Sequence, residues 1–279
     1  MTTTCVISVG LADIHSEPSS SSERVTQALM NTPAVADTVA DEWTHIALPD
    51  YSGWIRTAAL GAPVVKGFCK VGASCSSPLE VMAVVTATHT PLYSNATGDE
   101  TTGTIYLSTT SPLLDITHPQ RLQVALPDER TAWLARTGTD IRQGTDVYPR
   151  TPLDTVTTYA RAFLGRPYLW GGTSWAGLDC SGFVQLCYRM GGDLLPRDAN
   201  QQHDFLTRTV SKDEMEEGDL IFFGSKAITH VALALNHQEY IHAEGQNYQR
   251  VLVNSFDPAD AHFNPRLSEI VWAIKRVRS

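Results

Sequence analysis

Up to about residue 148, short apolar runs alternate with Thr, Ser and Pro, and turn residues break them every few positions. That pattern predicts small all-β modules. From Leu153 the apolar spacing lengthens. Val156, Tyr159, Ala160 and Phe163 lie on one helical face, so a helix is expected over residues 154–164, capped by Asp154 and stopped by Gly165 and Pro167. A second helix is expected to start at Asp179-Cys180-Ser181-Gly182, continue through Phe183–Met190 and end at Gly191-Gly192. Apolar strands follow, among them HVALALN, opened by His230, and YIHAEG, which carries His242; His237 falls in the turn between them.

The first half repeats itself. ALPDYSGWIR begins at Ala47 and ALPDERTAWLAR at Ala125, 78 positions later. His15-Ser16 against Tyr93-Ser94, and Leu29 against Leu107, show the same offset. The chain is therefore expected to carry a duplicated module of four to six short strands, each forming a partly open barrel with Trp54 or Trp133 on a late strand. The Gly-rich stretch 66–77, with Cys69 and Cys75, would join the copies, and Pro149 and Pro152 mark a linker into the last part. The expected domains are residues 1–66, 78–148 and 151–279.

Composition narrows the function. Hydrophobic residues make up 42% of the 279, enough for real cores. With 21 Lys and Arg against 30 Asp and Glu, the net charge is −9, which disfavours nucleic acid and anionic membrane surfaces as partners. No apolar run is long enough to span a bilayer. The first residues show neither a basic region nor an apolar core of a secretory signal, so the chain as given reads as cytoplasmic, although an exported longer precursor would contain the same residues. Five cysteines without paired CxxC spacing argue against a disulfide framework or a Cys-rich zinc module.

The candidate chemistry centres on Cys180. A thiol at a helix N-terminus sits at the positive end of the dipole beside unpaired N–H groups, which favour thiolate and can hold an oxyanion. The plain alternative is a small buried residue, as expected for Cys187 in mid-helix. A base for such a thiol is an imidazole with a further polar group fixing its tautomer, and neighbouring strands can bring His230 and His242 to one face. Each histidine alone could equally be a packed structural residue. His15, His45, His89, His118, His203 and His262 read as surface or packing residues in loop-like or uncertain contexts.

LDCSGFV, LPRDANQQ, EGDLIFFG, ITHVALAL and YIHAEG occur in that order and together resemble the NlpC family of cell-wall cysteine peptidases. The resemblance covers about residues 153–277. YSGWI resembles the end of bacterial SH3-like domains, and Ala132 replaces its Gly in the second copy. The resemblance implies a multidomain protein: two small all-β SH3-like barrels followed by an α+β papain-like cysteine peptidase domain. It implies a Cys-His-His triad of Cys180 as nucleophile, His230 as base and His242 as orienting residue, with Tyr168 helping at the oxyanion.

The subgroup with N-terminal SH3-like modules cleaves the bond between D-γ-glutamate and a diamino acid in free peptidoglycan stem peptides with an N-terminal L-alanine. That likeness implies a thioester on Cys180, peptidoglycan-derived peptides as partners, no cofactor, no metal and a monomer. Asp179 would read the alanine ammonium, Ser181 the substrate backbone, and Arg197 either a substrate carboxylate or its own loop with Asp198. Tyr51 and Glu23 of the first module would complete the alanine pocket, with a solvated surface charge as the other reading of Glu23. The rival readings are an amidase or acyltransferase of the same superfamily and a wall-binding protein.

Overall fold

The computed structural model describes residues 2–64, 81–144 and 146–278. They form two compact units, which meet in sequence between Val147 and Tyr148. The proposed connector at 66–77, with Cys69 and Cys75, lies outside the described residues.

The first unit is all β. Strands β1 (Thr3–Ile7), β2 (Leu11–His15), β3 (Arg24–Leu29), β4 (Pro33–Ala40), β5 (Trp43–Ala47), β6 (Ser52–Arg56) and β7 (Leu60–Gly61) form a sheet in the order β3-β2-β6-β5-β4-β1-β7. A second sheet comprises β8 (Val81–Val85), β9 (His89–Tyr93), β10 (Thr101–Tyr106), β11 (Thr110–Asp115), β12 (Arg121–Ala125), β13 (Thr131–Ala135) and β14 (Thr139–Gln143), in the order β10-β9-β13-β12-β11-β8-β14. The two orders are the same when each strand is matched to its counterpart. The repeated sequence thus coincides with a repeated topology. Among the described residues each copy holds seven strands rather than the expected four to six, because a last strand of two residues in one copy and five in the other pairs back onto the first strand. Neither sheet is closed on itself. Trp54 and Trp133 lie on the late strands β6 and β13.

Alternation explains the packing of these strands. Ile14, Ile46 and Ile55 fill the core of the first copy, and Val85, Leu113, Val124 and Leu134 that of the second. Gly53 is required where it stands, since a Cβ there would lie 2.7 Å from the His15 carbonyl oxygen. Met30 of the first copy is buried in the core of the second. Asn31 Nδ2 donates to the Thr110 carbonyl at 2.9 Å, and the Arg130 guanidinium donates to the Ser8 carbonyl at 2.8 Å, so polar bonds as well as packing tie the copies together.

The second unit is α+β. Helix α1 (Leu153–Ala162) begins one residue earlier than expected, with Pro152 rather than Asp154 at its N-cap, and Asp154 lies within its first turn. A proline lacks the N–H that a first turn leaves unpaired, which explains the shift. A hairpin of β15 (Thr173–Ser174) and β16 (Gly177–Leu178) leads into α2 (Cys180–Met190), followed by α3 (Ala199–Phe205). The remaining elements are β17 (Arg208–Val210), β18 (Leu220–Gly224), β19 (Ile228–Ala234), β20 (Glu239–Glu244), β21 (Arg250–Ser255), α4 (Pro265–Glu269) and β22 (Val271–Arg276). The sheet runs β17-β22-β18-β19-β20-β21, and every pair in it is antiparallel. Helix α2 packs against β19 and β20, which is what brings its first residue to the histidine strands.

Candidate active site

Helix α2 starts as its sequence requires. Asp179 is the N-cap and accepts the Gly182 N–H at 2.7 Å, leaving Cys180 at the first helical position. Gly182 is needed because the Gly172 carbonyl oxygen lies where a side chain would begin. The Cys180 N–H occupies a position for which an α-helix offers no internal partner, so it can point at a developing oxyanion.

The backbone N–H groups of Val231 and Ser181 lie close enough to the sulfur to favour its charged form. Strands β19 and β20 pair only at Leu233–Ile241 and Ala234–Tyr240, so Val231 stands outside that ladder and is available to the sulfur. His230 is therefore the immediate chain neighbour of a residue that touches the nucleophile candidate. It is the third residue of β19, which begins at Ile228 rather than at the histidine.

His230 Nε2 lies 2.7 Å from His242 Nδ1, and the rings meet edge-on with centroids 4.9 Å apart. His242 is fully buried, and its Nε2 lies 3.0 Å from Asn254 Oδ1. Asn254 in turn donates from Nδ2 to the His262 carbonyl at 2.9 Å. Phe223 and Tyr240 flank the two imidazoles. Asn254 was absent from the residues read off the sequence. Its only signal was an amide directly after the apolar Val251–Val253 run of β21, next to the strand of His242.

Burial governs the electrostatics. It pushes the Cys180 thiol up to about 12, with Asp179 adding to the rise, and the Val231 N–H, Arg197 and the Ser181 N–H only partly opposing it. It also holds His230 well below the usual imidazole range and takes His242 down to about 4. Burial thus opposes both the thiolate expected at a helix start and the charged form of either imidazole. Cys187, buried in mid-helix, is also raised by desolvation.

Tyr168 approaches the same place from the loop after α1. Its backbone bridges to Leu178, its N–H donates to the Gln249 carbonyl at 2.8 Å, and its ring occupies the space a Cβ at Gly245 would need. Burial, then the nearby Cys180, raises its phenol above the usual range, so it stays a hydrogen-bond donor.

Asp179, Ser181 and Arg197 are brought together beneath the start of α2. Asp179 accepts from Arg197 Nη1 at 3.0 Å and Nη2 at 2.5 Å, from the Gly182 and Gly171 N–H groups, and from the Ser181 hydroxyl at 3.3 Å. Arg197 Nη1 also donates to Ser181 Oγ at 2.9 Å. These bonds tie all three side chains to one another and to the backbone. The carboxylate expected to read an ammonium has its lone pairs engaged internally, and the Ser181 hydroxyl is engaged as both donor and acceptor. Arg197, 1% exposed, turns to Asp179, while Asp198 caps α3 in a reciprocal box with Gln201. The physical reason is that a guanidinium this deeply buried needs an internal carboxylate. Gln202, also unforeseen, donates to the Ser181 and Pro196 carbonyls and clasps α3 to the start of α2.

The other expected positions lie apart from this cluster in sequence and unit. Tyr51, half-buried, precedes β6, and Glu23, exposed, precedes β3, both in the first unit. Of the remaining histidines, His15, His45 and His89 are strand residues and His203 is helical, rather than loop residues. Among the described residues, no group of three or more His, Cys, Asp or Glu side chains is arranged to hold a metal ion.

Residues 165–267, which span Tyr168, Cys180 and both histidines, match the NlpC/P60 family. The chain is 37% identical over 126 residues to the gamma-D-glutamyl-L-lysine dipeptidyl-peptidase of Bacillus cereus, covering 43% of this chain and 37% of that protein. It is 33% identical over 118 residues to a protein of Haemophilus influenzae named probable endopeptidase, covering 40% of this chain and 67% of that protein. The chain spans less than half the length of the first curated relatives it matches. The crystal structure of an NlpC/P60 family protein from Bacillus cereus shares the fold, with a TM-score of 0.82 at 23% identity over 98% of this chain and 99% of that one. A helix-borne cysteine followed by two strand-borne histidines, within a matched segment that extends over two thirds of a relative, makes the chain a member of the NlpC/P60 family.

Proposed function

We propose that this protein is a cysteine peptidase that hydrolyses the γ-D-glutamyl–diamino acid bond of free peptidoglycan stem peptides carrying an N-terminal L-alanine. The observation that carries the reading is the position of Cys180: first in its helix, with its sulfur near the backbone N–H of the residue beside His230, and with His230 bonded to His242. The names of relatives from Bacillus cereus and Bacillus subtilis, both gamma-D-glutamyl-L-lysine dipeptidyl-peptidases, support the bond. A dipeptidyl-peptidase removes two residues from a free N-terminus, which supports the free alanine amine.

In this reading Cys180 transfers its proton to His230 Nδ1, the ring nitrogen not facing His242, as sulfur attacks the γ-carbonyl carbon. The Cys180 N–H and the Tyr168 phenol stabilise the oxyanion. The C–N bond breaks, His230 protonates the leaving amine, and L-Ala-D-Glu remains as a thioester. Water, deprotonated by His230, releases the dipeptide acid and restores the thiol. Asp179, Ser181 and Arg197 hold the start of the helix rather than the substrate. In the domain division proposed with this function, residues 1–66 and 78–148 are SH3-like modules and residues 151–279 a papain-like catalytic domain.

Mass spectrometry of products from L-Ala-γ-D-Glu-diaminopimelate tests the proposal, beside the N-acetylated peptide and the Cys180→Ala protein. The expected products are L-Ala-D-Glu and the diamino acid, formed by the native protein alone and much faster from the free amine. Products that persist in Cys180→Ala, or cleavage at another bond, would overturn it.

A further inference from the structure

The hydrogen bonds behind the two histidines have a direction. Asn264 Oδ1 caps α4 by accepting the Leu267 N–H at 3.1 Å, so its Nδ2 must be the atom that donates to Asn254 Oδ1, also at 3.1 Å. Asn254 Nδ2 meets the His262 carbonyl, which can only accept. A backbone donor at one end and a backbone acceptor at the other therefore fix both amides, and neither can flip without setting like groups against each other. Asn254 presents oxygen to His242.

The consequence passes along the chain of rings. His242 Nε2 must carry the proton to bond that oxygen, so in the neutral ring Nδ1 is a bare acceptor. His230 Nε2 must then carry its own proton to bond His242 Nδ1, which leaves the His230 Nδ1 lone pair bare. We infer that Asn254 is a positioning residue, locked by the His262 carbonyl and by Asn264, that sets the tautomer of both histidines and so leaves His230 ready to take the Cys180 proton. The part played by that proton rests on the function proposed above; the tautomers do not.

Histidine ring nitrogen NMR on the full chain tests this, with signals assigned through His230→Ala and His242→Ala. The expected spectrum shows both rings protonated at Nε2. Asn254→Leu removes the acceptor and should shift His242 toward the Nδ1-protonated form, with kcat on the stem peptide falling roughly tenfold or more at an unchanged KM. Asn254→Asp keeps an oxygen for His242 but sets its other oxygen against the His262 carbonyl, so it should retain the tautomer and lose clearly less of kcat than Asn254→Leu. An Nδ1-protonated His242 in the native protein, which needs no variant to fold, would overturn the inference. Unchanged tautomers in a folded Asn254→Leu protein, or an equal loss of kcat in the Asp variant with its tautomers intact, would overturn it as well. A native protein with the expected tautomers but no turnover would sink the proposed function and leave the hydrogen-bond direction standing.

Discussion

Arg197 and Asp179 face each other through two hydrogen bonds, at 3.0 and 2.5 Å, directly behind the residue that begins the Cys180 helix. Arg197 is the largest fully buried side chain among the described residues. Removing one partner strands the other charge in protein. Arg197→Met is expected to cost about 3–5 kcal/mol of stability. Asp179→Asn combined with Arg197→Met should cost less than the two changes added together. Urea denaturation checks both, and an Arg197→Met loss below about 1 kcal/mol would mean that the pair is not the support described.

The raised thiol predicts a specific labelling profile. With Cys180 pushed up to about 12, its iodoacetamide reaction should accelerate roughly tenfold per pH unit between about pH 7 and 9, without a plateau. Cys187, closed in mid-helix, should stay unlabelled in the native protein. A rate already flat at neutral pH would reveal a preformed thiolate and place the helix terminus above burial.

His242 should make the fold acid-labile. Its folded value of about 4 lies below the ordinary 6.5, so between those values the unfolded chain binds more protons. Stability from this residue is complete above about pH 6.5 and declines by about 3 kcal/mol as pH falls to about 4. His230 shifts in the same direction and steepens the decline. Urea midpoints measured across that range should slope less in His242→Asn, and parallel slopes would contradict the assignment.

The two histidines should not be equal in catalysis. His230→Ala removes the proposed proton acceptor, whereas His242→Ala removes only the group that orients it. Single-turnover rates on the stem peptide should fall further for His230→Ala. The reverse order would exchange their roles.

Tyr168→Phe should lower kcat by roughly ten- to a hundredfold with little change in KM, since a donor to an oxyanion acts in the transition state. Gly245→Ala should mimic part of this loss, because its Cβ would displace the Tyr168 ring. Steady-state kinetics of both proteins checks the pair, and full activity in Tyr168→Phe would remove the phenol from the mechanism.

What could be read in advance was what neighbours in sequence determine. Asp179 followed by Cys180, Ser181 and Gly182 encodes a cap and a helix start within four residues, and the repeat was visible because matching strands kept their spacing. The features that could not be read depend on distant partners. Arg197 was read with the adjacent Asp198 or with substrate, and its ion pair with Asp179, 18 positions earlier, had no local signal. Asn254 drew no notice because an amide in a strand gains meaning only when a histidine on the neighbouring strand lies against it. His15, His45 and His89 had only loop-like or uncertain contexts in the sequence, and sheet pairing places them on strands. Burial of the thiol was the least legible, since a dipole can be read from one helix but desolvation depends on everything packed around it.

The burial of Met30 within the second copy's core has a consequence for how this protein could have arisen. A freshly duplicated module would have been self-sufficient, each copy supplying its own interior. With Met30 of one copy seated in the core of the other, separating the copies would expose that methionine and the apolar residues around it. A fragment that begins at the second copy would lack that side chain from its core and carry a cavity in its place.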